Sequence, residues 1–170
     1  MRWEFFAPGG PWGALWVAAP AAFFVALLGG LATRLGPWYE QLRKPSWQPP
    51  NWLFGPVWSV IFALITVSGV IAWRDAPSVW ARETVVVLFA LNAILNIFWS
   101  VLFFTLRRPD WAFFEVAPLW LSILLLIVAF WPFAPLAAVL LAPYLLWVGF
   151  AAYLNWTIVR LNAPFSARAR

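Results

Sequence analysis

Long stretches without a charged side chain constrain this chain more than any other feature. Four of them exist, and they cover residues 11–33, 45–73, 84–106 and 116–159. An α-helix needs about 20 apolar residues to cross the hydrocarbon core of a bilayer. Pro132 and Pro135 interrupt the last stretch, which is also twice as long as the first, so it predicts two spans joined by a turn.

We therefore predict an all-α membrane protein whose single domain is a bundle of five transmembrane helices. Hydrophobic residues make up 65% of the chain and charged residues 10%, whereas soluble domains carry about 25% charged residues. The apolar stretches do not alternate with polar residues as the strands of a membrane β-barrel do. The helices are expected near residues 12–34, 52–73, 83–106, 112–131 and 136–160.

The distribution of Lys and Arg predicts the orientation, because these residues are retained on the cytoplasmic side of a membrane. One side carries Arg2, Arg74 and Arg82, and the other carries Arg34, Arg43, Lys44, Arg107, Arg108, Arg160, Arg168 and Arg170. The N-terminus is therefore predicted outside and the C-terminus inside. No basic stripe lies beyond these flanks, so no nucleic-acid partner is expected.

Several kinds of chemistry are excluded by residues that the sequence lacks. It contains no Cys and no His, and Met1 is its only Met. Disulfides, zinc sites and nearly all the usual haem ligands are thereby ruled out, so we predict no metal site and no required cofactor. Glu115 is the only acid near the membrane interior, and we interpret it as stabilising a helix start through the helix dipole rather than as a proton relay.

Small residues recur every four positions in the first span, at Ala14, Ala18, Ala22, Ala26 and Gly30. Such a ladder allows another helix to approach closely in lipid. It fits packing inside one bundle, which we favour, and also a dimer interface.

Polar and aromatic residues share one face in three of the spans. Asn92, Asn96 and Trp99 do so in the third, where the amides would either bridge neighbouring helices or contact a ligand. Similar stripes are Trp58, Phe62, Ile65 and Gly69 in the second span, and Tyr144, Trp147, Ala151 and Asn155 in the fifth. Turned inward, these faces would enclose a flat, mostly apolar pocket. Tryptophans also form belts at membrane interfaces, but Trp99 and Trp147 lie in mid-span, which favours the pocket.

The segment "RKPSWQPPNWLFGPVWS" at residues 43–59 combines four prolines with three tryptophans. Pro45, Pro49, Pro50 and Pro56 fix φ and argue against a regular helix. We predict that the loop at residues 35–51 forms a rigid cap over one end of the bundle, with Trp58 entering the pocket below it.

The motifs "WYEQLRKP", "KPSWQPPNWLFGPVW", "LNAILNIFWSVLFF" and "PYLLWVGFAAYLNWTIVRLN" together resemble the translocator protein family, also called tryptophan-rich sensory proteins or peripheral-type benzodiazepine receptors. The resemblance covers roughly residues 37–162. It implies a five-helix bundle, often a homodimer, that binds porphyrins and other flat apolar molecules. The ligand-lining residues that it implies are Tyr39, Pro49, Trp58, Asn92, Asn96, Trp99, Trp147, Ala151 and Leu154.

Three functions follow from that resemblance as expectations. The first is a receptor or sensor that binds porphyrins and modulates tetrapyrrole traffic or metabolism. The second is a light- and oxygen-dependent porphyrin-degrading enzyme that uses Trp58 and Trp99, and the third is a passive transporter of porphyrin or sterol-like ligands. The sterol-recognition pattern departs here, because six residues separate Tyr153 from Arg160. The charge asymmetry favours a bacterial inner membrane, although some relatives occupy an outer membrane.

Overall fold

The computed structural model describes residues 7, 10, 12–33 and 35–165. Its helices are α1 (Leu15–Ala32), α2 (Pro37–Gln41), α3 (Asn51–Asp75), α4 (Val79–Ser100), α5 (Pro109–Phe130), α6 (Pro135–Leu140) and α7 (Ala142–Asn162). A π-helical turn, Val101–Thr105, continues α4. The described residues contain no strand. Arg2, Arg34, Arg168 and Arg170, which the orientation prediction uses, lie outside the described residues.

The prediction of an all-α protein with five apolar spans is confirmed. The candidate spans are Leu15–Ala32, Asn51–Asp75, Val79–Thr105, Pro109–Phe130 and Pro135–Asn162. Their ends lie within four residues of the predicted ones. Backbone N–H and C=O groups find no water in the hydrocarbon core, and a helix satisfies them within its own segment.

The last span is divided, which the prediction of one helix over residues 136–160 did not include. Helix α6 ends at Leu140 and α7 begins at Ala142. Pro143 has no N–H to donate to the carbonyl of Val139, so a continuous helix would lose a hydrogen bond there.

Pro56 also behaves differently from the prediction. Helix α3 begins at Asn51 and runs through Pro56, whereas Pro45, Pro49 and Pro50 precede it. Pro56 has no N–H to donate to the carbonyl of Trp52, four residues earlier, and the helix continues through it with that bond missing.

The interpretation of Glu115 as a helix-start residue is wrong. Helix α5 begins at Pro109 rather than near residue 112, and the acid in its first turn is Asp110. The helix dipole acts mainly within the first turn, and Glu115 lies beyond it. Asp110 instead pairs with Arg108, whose Nε donates to the carboxylate over 2.8 Å.

Helix α5 is the central packing element of the bundle. It packs against α4, α6 and α7, and its side chains Ile123, Leu126 and Phe130 are fully buried. Helix α1 has no buried residue and lies against α3 and α4. The bundle is thus dense around α5 and open beside α1, where the cavity is found.

Candidate functional site: an aromatic cavity between the helices

A cavity of about 750 Å³ lies between α1, α3, α4 and α7. Small-molecule sites typically occupy about 300–1,000 Å³, so its volume suits such a ligand. The lining residues are Ala19, Ala22, Phe23, Val25, Ala26, Gly29, Gly30, Thr33, Leu35, Tyr39, Asn51, Trp52, Phe54, Gly55, Trp58, Ser59, Phe62, Thr66, Asn96, Trp99, Ser100, Phe104, Trp147 and Ala151. Within the described part of the chain, none of the lining residues is charged.

Small side chains of α1 form one wall of the cavity. Ala22, Ala26 and Gly30, three members of the predicted ladder, line it. A Cβ atom added at Gly29 would lie 3.8 Å from the Ser100 hydroxyl, so α1 also passes close to α4 here. Three of the five ladder residues therefore face the interior of the bundle, where they leave room for a ligand as well as for a neighbouring helix. The alternative of a dimer interface stays a prediction.

Aromatic rings form the opposite wall, and they come from α3 and α7. The ring of Phe54 lies 5.6 Å from that of Trp147 in an edge-on contact. The Trp58 ring lies 5.6 Å from that of Phe62 and 6.0 Å from that of Tyr144. Each ring is held by another ring, so the wall is formed without a ligand. Such surfaces suit a flat apolar molecule, which can stack on them or meet their edges.

A chain of buried hydrogen bonds fixes the amides of α4. Asn96 donates to the Tyr144 hydroxyl over 3.0 Å, and that hydroxyl donates to Asn92 over 3.2 Å. Asn92 donates to the Ser122 hydroxyl over 2.8 Å, which in turn donates to the Leu119 carbonyl over 2.7 Å. This chain of bonds joins α4, α5 and α7, and we call it the polar relay.

Asn96 is the member of the polar relay that lines the cavity. Its Nδ2 is used by Tyr144, whereas its Oδ1 accepts no hydrogen bond from any residue in the described ranges. That oxygen is therefore available to a ligand N–H or O–H group.

The loop at residues 35–51 contributes Leu35, Tyr39 and Asn51 to the lining of the cavity. Tyr39 lines the cavity, and its hydroxyl donates to Asn51 over 3.3 Å and accepts from Gln48 over 3.4 Å. Burial raises the pKa of Tyr39 above its ordinary value, against the smaller opposing effect of the Gln48 hydrogen bond. The phenol is therefore neutral at physiological pH.

Two contacts attach this loop to α7. The backbone N–H of Arg43 donates to the Asn162 side-chain oxygen, and the Asn162 amide donates to the Arg43 carbonyl, each over 2.8 Å. The Trp47 ring stacks on that of Tyr153 at 5.2 Å. The cap is thus held by both hydrogen bonds and ring stacking.

Six of the nine predicted ligand residues meet at the cavity: Tyr39, Trp58, Asn96, Trp99, Trp147 and Ala151. Pro49 does not line it, since the loop turns Tyr39 and Asn51 towards it instead. Both polar atoms of the Asn92 side chain form hydrogen bonds within the polar relay. Asn92 therefore bridges neighbouring helices, which was the alternative to contacting a ligand. Leu154 does not line the cavity and packs with Leu102 and Ile158 in a buried cluster that also contains Tyr39.

Three groups of lining residues were not predicted, and the third lies on α3 and in the loop before it: Leu35, Asn51, Trp52, Phe54, Gly55, Ser59 and Thr66. The first is the wall from α1, although its ladder was visible in the sequence. The second is Ser100 and Phe104, which flank or belong to the π-helical turn. There the N–H of Leu106 bonds to the carbonyl of Val101, five residues earlier, over 2.8 Å. This wider turn changes the helical register, and such turns are frequent at functional sites.

These features define a class: a multi-pass membrane protein with an aromatic, uncharged cavity inside a bundle of five spans. The TspO/MBR family profile matches residues 16–161. The chain belongs to the TspO/MBR family.

Curated relatives agree with this assignment. The chain is 41% identical to the tryptophan-rich protein TspO of Chlorobaculum tepidum over 128 residues, which are 74% of this chain and 79% of that protein. It is 36% identical to protein CrtK of Rhodobacter capsulatus over 149 residues, 84% and 91% of the two chains. It is also 36% identical to the translocator protein of Sus scrofa over 155 residues, 86% and 91% of the two chains.

Proposed function

We propose that this protein is a membrane receptor or sensor that binds porphyrins, or related flat apolar molecules, in the cavity and thereby modulates tetrapyrrole traffic or metabolism. The observation that carries the proposal is the cavity itself, about 750 Å³ in volume and walled by Trp58, Trp99 and Trp147. Its apolar walls favour the body of such a ligand. The free Oδ1 of Asn96 supplies a polar contact that fixes the orientation of the ligand.

Filling the cavity tests this proposal. Ala22 lines the cavity, whereas its neighbour Ala21 is exposed and does not. Ala22→Phe is expected to weaken binding of protoporphyrin IX about fivefold or more, since an added ring overpacks the site by about 1–3 kcal/mol. Saturable quenching of tryptophan fluorescence measures the affinity.

Ala21→Phe provides the matched control, with the same substitution one residue away on the same helix. It should bind protoporphyrin IX like the unmodified chain. Quenching that never saturates, or an affinity that Ala22→Phe leaves unchanged, contradicts the proposal.

A porphyrin-degrading enzyme is the second candidate. It is favoured by one observation, that Trp58 and Trp99 both line the cavity and would lie beside a bound photosensitiser. Illumination in air, followed by the porphyrin absorbance spectrum, tests it. The double variant Trp58→Phe/Trp99→Phe should then slow the loss of porphyrin, whereas Trp80→Phe should not, because Trp80 is 80% exposed and outside the cavity. Equal rates in all three proteins contradict the enzymatic function.

Passive transport of the same ligands is a third hypothesis, and flux into liposomes with and without a ligand gradient tests it. The homodimer, the inner-membrane location and the outside position of the N-terminus stay predictions. Cross-linking in native membranes and protease protection from each side would test them.

A further inference from the structure

Phe165 is a buried aromatic residue that lies beyond α7 rather than in a helix. Helix α7 ends at Asn162, and the N–H of Ala163 bonds to the Val159 carbonyl over 2.9 Å. Ala163 and Pro164 are then exposed, whereas Phe165 is only 5% exposed. A short non-helical tether thus carries an aromatic ring back into the protein.

The ring of Phe165 belongs to a buried cluster that is separate from the larger one containing Phe130. Its other members come from the loop at residues 35–51, the π-helical turn, α5 and α7. They include Tyr39, Leu42, Leu102, Phe103, Leu154 and Ile158. We call this group the loop cluster. Because these segments are far apart in the chain, the cluster joins the loop to the bundle.

The loop cluster adjoins one wall of the cavity. Tyr39 is a member of the cluster and also lines the cavity. Phe54, Trp99 and Phe104, which line the cavity as well, pack against the cluster as partly buried residues. The Trp99 ring stacks on that of Phe103 at 5.2 Å, and the Tyr39 ring lies 5.6 Å from that of Phe104. The positions of four lining rings therefore depend on how this cluster is packed.

Phe165 can leave the loop cluster without the unfolding of a helix, because only two exposed residues tether it to α7. Segments held by few buried contacts open locally at a much lower free energy than the whole fold. Protein interiors are close-packed, so the loss of a ring leaves a void that neighbouring side chains fill only in part by moving. Here the neighbours that would move include the side chains that border the cavity.

We propose that Phe165 is a positioning residue, which acts through the loop cluster on Tyr39 and thereby sets how long a ligand stays bound. Phe165 does not itself line the cavity. Residues 163–165 form a strap that keeps the wall rigid while the ring is in place and lets the wall yield when the ring is displaced. The inference rests on the proposed function, since it concerns the ligand of the same cavity.

The dissociation rate of protoporphyrin IX tests the strap. The loaded full chain in nanodiscs is mixed with an excess of empty lipid vesicles, and the recovery of tryptophan fluorescence follows the loss of ligand. Phe165→Ala is expected to speed dissociation about tenfold, the size of a coupling between residues of one packed cluster. The association rate should change less, because affinity differences between variants arise mostly in dissociation. Phe165→Leu keeps most of the apolar volume and should retain most of the original residence time.

Two further variants separate positioning from a general loss of stability. Phe130→Ala removes a fully buried ring from the other cluster, so it should destabilise the protein and leave the dissociation rate unchanged. The double variant Tyr39→Ala/Phe165→Ala tests the route of the effect. If Phe165 acts through Tyr39, its replacement should have little effect once Tyr39 is absent, since coupled residues are not additive.

Hydrogen exchange in and beside α2 gives a second measurement, which needs no ligand. The N–H of Tyr39 bonds to the Gly36 carbonyl over 2.9 Å, and the N–H of Leu42 bonds to the Tyr39 carbonyl over 3.3 Å. Phe165→Ala should make these amides exchange about tenfold faster, because the strap no longer opposes local opening. Phe130→Ala should leave their exchange unchanged. Equal exchange in the two variants would contradict the strap.

The results that overturn the inference are distinguishable from a failure of the proposed function. If protoporphyrin IX binds saturably and leaves Phe165→Ala as slowly as the unmodified chain, Phe165 has no positioning role while the proposed function stands. An effect of Phe165→Ala that is as large without Tyr39 as with it would exclude action through Tyr39. If the unmodified chain shows no saturable binding, the proposed function fails, and the role of Phe165 in ligand residence fails with it.

Discussion

Helices α5 and α1 are both long apolar spans, yet they pack in opposite ways. Helix α5 buries nine residues, from Pro109 to Phe130, whereas α1 buries none. The side chains of α5 fill the space between α4, α6 and α7, while the small residues of α1 border the cavity. The same bundle therefore combines a densely packed scaffold with a wall that leaves space.

The difference shows what drives packing in this protein. Lipid chains are as apolar as the helices, so burial of apolar surface does not by itself bring helices together in a membrane. Close fit and interhelical hydrogen bonds do so instead, and α5 has both, since Ser122 is part of the polar relay. Helix α1 is joined to the π-helical turn by a hydrogen bond from the Thr105 hydroxyl to the Ala32 carbonyl over 3.2 Å.

Replacing one phenylalanine by alanine on each of the two helices should give the largest difference in the free energy of unfolding. Phe130 on α5 is fully buried against Phe89 and Phe133, and Phe24 on α1 is 59% exposed. Phe130→Ala is expected to lower the free energy of unfolding by about 3–5 kcal/mol, because it leaves a cavity in dense packing. Phe24→Ala should change it by less than about 0.5 kcal/mol. Thermal unfolding in detergent measures both, and similar losses would show that the two helices do not differ as described.

Removing one hydroxyl should test the polar relay with the next largest effect. Tyr144→Phe takes the partner from Asn96 and from Asn92 at once, and unpartnered buried polar groups cost about 1–3 kcal/mol. Thermal unfolding should show this loss. Tyr153→Phe is the control, since Tyr153 is exposed and contributes its ring rather than its hydroxyl. A Tyr144→Phe variant as stable as this control would mean that the relay does not hold the helices together.

The contrast between α5 and α1 could be only partly predicted from the sequence. The number and bounds of the spans could be predicted from the uncharged stretches. Because backbone polar groups exposed to lipid are costly, a stretch that crosses the membrane can form little other than a helix. Helical periodicity also grouped Asn96 with Trp99 and Trp147 with Ala151, and all four line the cavity. It could not decide which neighbour each helix face meets.

The misplaced residues show where such reasoning stops. Asn92 shares a face with Asn96, but a partner thirty positions along the chain, Ser122, occupies its amide. The π-helical turn at Val101–Thr105 changes the helical register shortly after Trp99. Both effects depend on contacts between distant segments, for which one sequence contains no periodic signal.

Detaching the loop at residues 35–51 from α7 should have a smaller effect on stability, and the effect should be confined to the loop beside the cavity. Asn162→Ala removes both hydrogen bonds to the backbone of Arg43, at a cost of about 1 kcal/mol. Trypsin cleavage between Arg43 and Lys44 should then become about fivefold faster. Thr157→Val is the control on the same helix, because the Thr157 hydroxyl bonds only to its own helix at Tyr153. Equal cleavage rates in the two variants would exclude Asn162 as an anchor of the cap.

Replacing Glu115 by leucine should have the smallest effect on the free energy of unfolding. It also tests most directly how α5 is packed. It is 8% exposed, and neither of its carboxylate oxygens accepts a hydrogen bond from the described residues. A buried polar group without a partner adds nothing to stability and carries the cost of its lost hydration. Dense packing around α5 should therefore come from the shape of this side chain rather than from its polarity.

Glu115→Leu keeps most of that volume and removes the polar atoms. We expect the free energy of unfolding to stay within about 1 kcal/mol of the original or to rise, as is often seen when buried polar groups are replaced by apolar ones of similar size. Glu115→Ala is the control, and it should lose about 2 kcal/mol or more, because it opens a gap where a buried side chain of α5 stood. A loss with Glu115→Leu as large as with Glu115→Ala would mean that the carboxyl has a partner or a function of its own. In that case α5 would carry a functional side chain in addition to its role in packing the bundle.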